Sequence, residues 1–272
     1  LSIRRQRQMC IRDSYRTELD ATGPITEDGR VRARAGFAAQ DRDYFFDKAN
    51  TRQGLVYGAL EFDLTANTTL TLSAAYQRQR MAPFDYGLSI YSNGKFVDSP
   101  RKGFYGTDWA RGDTTLSEIY TELSHRFANG WTGQVSMNYR STDLDSRYGY
   151  VNGPVNPAND RAGYRLQVQK DQIRWLGMDT HATGPFELFG RTHQAMIGAN
   201  YAERNQDSRS GGANYTNVSI YDIDVPNPDL PYTSGNKSTS SQMGVYGQLS
   251  LNVADPLTLI VGGRQSLSLI HI

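Results

Sequence analysis

The chain has one cysteine, Cys10, and four histidines in 272 residues. One thiol cannot form an intrachain disulfide, and so sparse a set leaves no Cys/His framework for a structural metal. No run of 18 or more apolar residues occurs, which excludes a membrane-spanning helix. Neither sign of charge dominates: 29 Lys+Arg stand against 28 Asp+Glu, so no nucleic acid or other polyanion is implied as a partner. What is plentiful is Tyr, Thr, Ser, Gly and Asn, a composition that suits strands and polar loops better than helices.

The two ends read as foreign sequence. Leu267-Ser268-Leu269-Ile270-His271-Ile272 is the translation of CTG TCT CTT ATA CAC ATC, a transposon end used in preparing sequencing libraries. Its reverse complement encodes Met9-Cys10-Ile11-Arg12-Asp13 and the start of Ser14. The primer extension ahead of it gives Arg4-Arg5-Gln6-Arg7-Gln8. We expect residues 1–14 and 267–272 to be translated adapter, and residues 15–266 to be an internal piece of a longer reading frame. On this reading Met9 is no initiator, Arg4, Arg5 and Arg7 are no nucleic-acid arm, and the native stretch has no cysteine.

Within 15–266 the dominant signal is alternation with a period of two. Gly133, Val135, Met137 and Tyr139 lie on one face of an extended segment, opposite Gln134, Ser136, Asn138 and Arg140. Leu70, Leu72, Ala74 and Tyr76 oppose Thr69, Thr71, Ser73 and Gln77, and Met243, Val245, Leu249 and Leu251 oppose Tyr246, Gln248, Ser250 and Asn252. The pattern predicts about ten strands, near 15–22, 31–41, 53–64, 69–80, 116–127, 131–143, 164–182, 192–204, 240–253 and 257–266. Most reach the roughly 9–11 residues that a tilted strand needs to cross a bilayer.

The connections alternate short and long. Thr65-Ala66-Asn67-Thr68, Ala128-Asn129-Gly130 and Ala254-Asp255-Pro256 are tight, whereas 42–52, 81–115, 144–163 and 205–239 are expected as long loops. A soluble sheet with one solvated face explains the alternation but not this asymmetry or the strand lengths. Tight turns on one side and long loops on the other are the build of an outer-membrane barrel. The fold class expected is therefore all-β: an antiparallel up-and-down transmembrane β-barrel, with the apolar face on lipid and aromatics such as Tyr15, Phe127, Trp131, Tyr139 and Tyr201 in the interfacial girdle.

Nothing in the pattern is catalytic. His125, His181 and His193 sit in or beside strands with no second ligand at metal spacing. His125 follows Ser124, but adjacent strand residues point to opposite faces and cannot pair. Asp222, Asp224 and Asp229 supply oxygens but lack the glycine and closing bidentate acid of a calcium loop. The informative loop is 81–115, which holds Phe84, Tyr86, Tyr91, Phe96, Phe104, Tyr105 and Trp109 beside Arg101, Lys102 and Arg111.

Six segments stand in order along the chain: Leu19-Asp20-Ala21-Thr22-Gly23-Pro24, Gly29-Arg30-Val31-Arg32-Ala33-Arg34, Gly58-Ala59-Leu60-Glu61-Phe62-Asp63-Leu64-Thr65, Gly87-Leu88-Ser89-Ile90-Tyr91-Ser92-Asn93-Gly94 with Asp108-Trp109, Leu123-Ser124-His125-Arg126-Phe127-Ala128-Asn129-Gly130-Trp131, and Val245-Tyr246-Gly247-Gln248-Leu249 through Gly262-Gly263-Arg264. In this order they resemble the barrel of TonB-dependent ferric-siderophore receptors, in the branch that takes up pyoverdine- and coprogen-like chelates. The resemblance implies a barrel of about 22 strands, of which this chain holds about ten. It also implies a location in the outer membrane of a Gram-negative bacterium, contact with lipid, and a plug and TonB box outside this stretch through which the TonB complex acts. The implied activity is energised uptake of a ferric siderophore, with no enzyme chemistry, no resident cofactor and no nucleic acid. The residues it singles out for the chelate are Trp109 and Tyr91, then Tyr86 and Arg111. Two other activities suit such a barrel: a passive porin, which would lack the plug, and an outer-membrane hydrolase, which would need a catalytic set on one strand face.

Overall fold

A computed structural model of the chain describes residues 13–82 and 86–271. The expected adapter segment 1–14 falls almost wholly outside the described residues, as do Phe84 and Ile272. Among the described residues there are ten strands and no helix. The strands are β1 (Ser14–Pro24), β2 (Val31–Asp43), β3 (Asn50–Thr65), β4 (Thr68–Ala82), β5 (Arg111–Arg126), β6 (Thr132–Asn156), β7 (Arg161–Leu188), β8 (Arg191–Ser219), β9 (Ser234–Ala254) and β10 (Leu257–His271). They form one antiparallel sheet in sequence order. The fold is an up-and-down barrel wall, as the alternation predicts. Residues 267–271 continue β10 opposite Thr239 to Met243 of β9.

The pleat sorts side chains onto two faces, and the pairing register carries each face from strand to strand. Leu19 pairs Phe37, Phe37 pairs Val56, and Val56 pairs Tyr76. Further round, Val135 is opposite Leu123, Met178 opposite Met137, and Tyr201 opposite Met178. Most of these apolar side chains are exposed, Leu19 at 68% and Val135 at 52%. A contiguous band of bare hydrocarbon belongs against lipid. Strand residues of the other parity are polar and cross-linked. Arg32 donates to Glu61 and Asp63, Gln134 donates to Glu122, and Tyr246 donates to Asp179 at 2.8 Å. That face lines the lumen.

Short turns close one end of the hairpins. Phe189 and Gly190 both have positive φ, 52° and 71°, and make the two-residue β7–β8 turn whose twist suits adjacent strands. Gly130 (φ 82°) closes the turn after Phe127, with its N–H donated to the Phe127 carbonyl.

At the other end the structure departs from two expected loops. The stretch 144–163 is mostly strand: β6 and β7 run on as a projecting hairpin, and the turn is confined to 157–160. Likewise β8 continues to Ser219, leaving 220–233 as the connection to β9. The Asn, Gly and Pro residues at 152–157 look like breakers in the sequence, but they are absorbed by a register shift between Asn152 and Asn156. Pro154 is tolerated because β6 above Arg147 has no β5 partner, so its missing N–H leaves no ladder bond unmade.

Candidate functional site

Residues 86–110 and the segment 220–233 fold onto the projecting β6–β7–β8 hairpins. Register decides which side each covers. Arg147, Gly149 and Val151 share a face with Val168, Leu166 and Tyr164, and with Gly211, Ala213 and Tyr215. This is the continuation of the outer, lipid-facing parity. Here Tyr164 and Leu166 are buried with Val225, and Trp109, Ile223 and Leu230 pack around them. The strap presses so close that a Cβ at Gly211 would lie 1.9 Å from the Pro231 carbonyl oxygen. Arg147 donates to Asn227 Oδ1 at 2.8 Å, and Asp229 stands 4.0 Å from its guanidinium. The opposite parity, Tyr148 and Tyr150 on β6 with Gln167 and Arg165 on β7, faces the lumen.

The four sequence-predicted residues separate accordingly. Tyr86 lies on the lumen side: its ring is 5.2 Å from that of Tyr148 and 5.3 Å from that of Tyr150, centroid to centroid. Its hydroxyl donates to Tyr148 Oη at 3.4 Å, and its own side chain is 59% exposed. Tyr148 is buried beneath it. Arg165 stands directly across the ladder from Tyr150. The result is an open aromatic step with a guanidinium beside it. Aromatic faces and a cation together hold flat, anionic or hydroxamate-bearing ligands.

Tyr91 sits at the hairpin tip. Ser92 N–H donates to the Val155 carbonyl and Val155 N–H donates to the Ile90 carbonyl, so Tyr91 bridges Val155 in parallel. Its hydroxyl donates to Asp160 Oδ1 at 2.7 Å. That bond, followed by desolvation, pushes the phenol up to about 12. Trp109 is on the outer side, where its indole N–H donates to the Val225 carbonyl at 3.0 Å. Arg111 is exposed at the start of β5, opposite Arg147 and of the same outer parity. The four therefore do not converge. Tyr86 faces the lumen, Tyr91 and Trp109 fasten the loop around the free edge of β6, and Arg111 points outward.

Sequence reasoning missed Tyr148 and Tyr150 because it placed 144–163 in a loop, and it placed Arg165 in the strand 164–182 without assigning it a role. The signal was present: Tyr148 and Tyr150 flank Gly149, and polar Arg165, Gln167 and Gln169 alternate with Tyr164, Leu166 and Val168. Among the described residues no group of three or more His, Cys, Asp or Glu stands where a metal ion could be held.

Comparison with known proteins fits this arrangement. The chain is 31% identical over 262 residues to the ferripyoverdine receptor of Pseudomonas aeruginosa, covering 93% of this chain and 32% of that protein. It is 32% identical over 268 residues to the ferric-pyoverdine M114 receptor of a Pseudomonas species, again 93% and 32%. The crystal structure of the P. aeruginosa outer-membrane receptor bound to ferripyoverdine superposes with a TM-score of 0.87 at 29% identity, over 95% of this chain and 36% of that one. The chain thus spans about a third of the length of the curated relatives it matches. Residues 79–268 match the family described as TonB dependent receptor-like, beta-barrel, and the chain belongs to that family.

Proposed function

We propose that this chain is part of the barrel wall of an outer-membrane receptor that imports ferric siderophores. The observation that carries the reading is the lumen-facing step of Tyr86, Tyr148 and Tyr150 with Arg165 at the extracellular end. The names of the similar proteins, ferripyoverdine and ferric-pyoverdine receptors, set the ligand class. The chelate lies against the exposed ring of Tyr86 and the half-buried ring of Tyr150, and Arg165 meets its anionic groups. Tyr91 and Trp109 position the loop that carries Tyr86. Arg111, on the outer parity, meets the chelate only if the loop swings outward. Import is a conformational step with no covalent chemistry and no resident cofactor. Its energy comes from the TonB complex, acting through the plug and TonB box of the complete receptor. A passive porin would share the wall but would not need an aromatic step at its mouth.

The test is equilibrium binding of a ferric hydroxamate chelate to the full-length receptor, followed by fluorescence quenching. Tyr150→Ala and Tyr86→Ala should each weaken binding by about tenfold, the scale of one aromatic contact. Uptake of radioactive iron should stop in cells lacking TonB. Binding unchanged in the double substitution, or uptake that persists without TonB, overturns the reading.

A further inference from the structure

The outer face carries a second constellation, on the lipid side of the wall and away from the lumen. The uppermost apolar neighbours on β1 to β4 are Leu19, Phe37, Val56 and Tyr76. Two residues nearer the extracellular end, on the same parity, the side chains become small on three strands and cationic on the fourth: Thr17, Ala39, Gly54 and Arg78. Two residues further stand Tyr15, Asp41, Arg52 and Arg80, with Asp113 beside Arg80 on β5. The small middle row leaves a groove of about 600 Å³, bounded by Tyr15, Arg52, Arg78 and Arg80.

Arg52 and Arg80 are directly opposite each other across β3 and β4. Like charges in that position destabilise a ladder unless something neutralises them. Asp41 accepts from Arg52 at 3.0 Å, and Asp113 accepts from Arg80 at 2.9 Å with Arg78 at 3.7 Å. The groove's own lining holds three guanidiniums and one carboxylate, Asp41; Asp113 bonds Arg80 from its edge, and Asp145 and Asp43 lie beyond the lining. All three arginine side chains stay more than half exposed. Charge cannot sit in hydrocarbon, so this row marks the headgroup level, with bare apolar side chains directly beneath it.

We propose that this groove binds a phosphate-bearing lipid of the outer leaflet. The phosphate takes fork-geometry hydrogen bonds from Arg78 and Arg80, with Arg52 closing the far side. The acyl chains lie down the wall over Phe37, Val56 and Tyr76. A free phosphate would satisfy the guanidiniums but would leave the apolar row below them without a partner. The site is on the opposite face from the chelate step, so it stands or falls separately from the import reading.

The test is native mass spectrometry of the full-length receptor in detergent, with diphosphoryl lipid A, its dephosphorylated form, or inorganic phosphate as probe. Diphosphoryl lipid A should remain bound through activation, and the double substitution Arg78→Gln/Arg80→Gln should lower its occupancy by about tenfold or more. Asp113→Asn, which removes a competing carboxylate, should raise it. The dephosphorylated lipid should bind weakly and equally to all three proteins, and iron uptake should be unchanged in every variant. Equal occupancy of diphosphoryl lipid A in wild type and double variant overturns the proposal. So does inorganic phosphate displacing the lipid at equal concentration, which would mark a simple anion site.

Discussion

At the residue scale, Tyr91 shows how a side chain chosen for a ligand role can be occupied by the fold. Its phenol is held by Asp160 at 2.7 Å and pushed up to about 12. A tyrosine whose folded value lies above its unfolded one stabilises the fold fully below about pH 10. That contribution then declines as pH rises from about 10 towards about 12. The tip contact is therefore constant across any physiological pH. The difference in tyrosinate absorbance between wild type and Tyr91→Phe should titrate with a midpoint near 12. A midpoint near 10, the ordinary phenol value, would show that the Asp160 bond does not form in solution. Tyr148 and Tyr150 make the converse point. They went unread as site residues because the role proposed for them depends on strand parity, and Asn152, Gly153 and Pro154 interrupt the pattern beyond them.

At the element scale, the strand pattern was legible because lipid and lumen impose opposite solvents on alternate residues, which leaves a period of two. All ten expected strands form. The hairpin extensions were not legible, because above the membrane both faces see water or loop and the alternation weakens. What orders those extensions is tertiary. The free edge of β6 above Arg147 is capped at Val155 by Ile90 to Ser92, which takes up the N–H and C=O of Val155 at the tip of an otherwise open row. Trp109 then ties the same loop to 220–233 through one hydrogen bond, to Val225. Because this bond joins two loops, Trp109→Leu should make both 86–110 and 220–233 more sensitive to protease added outside the cell. Phe96→Ser, in the same loop but 88% exposed, should change neither. If Trp109→Leu sensitises only its own loop, the two segments are not coupled in this way.

At the scale of the whole molecule, the described sheet has two bare edges, β1 and β10, and no contact between them. In water an edge of 11 or 15 residues invites pairing with other chains. In hydrocarbon each unpaired backbone group costs several kcal/mol, so an open wall cannot stay in a bilayer. The barrel must be completed by strands beyond these ten, which agrees with a chain about a third the length of its relatives. The alternation of Leu267, Ser268 and Leu269 lets foreign residues continue a strand as well as native ones would, so pairing alone does not mark origin. We propose that residues 1–14 and 267–272 are adapter, and source DNA amplified outward from Tyr15 and Ser266 should show different codons beyond both junctions. Expressed alone, residues 15–266 should form oligomers or aggregates in detergent rather than a closed monomer. The measurement is electrophoretic mobility with and without boiling, combined with protease protection in vesicles. A heat-modifiable, protease-resistant monomer would mean that β1 and β10 can close on each other, and the wall would then be a small complete barrel rather than part of a large one.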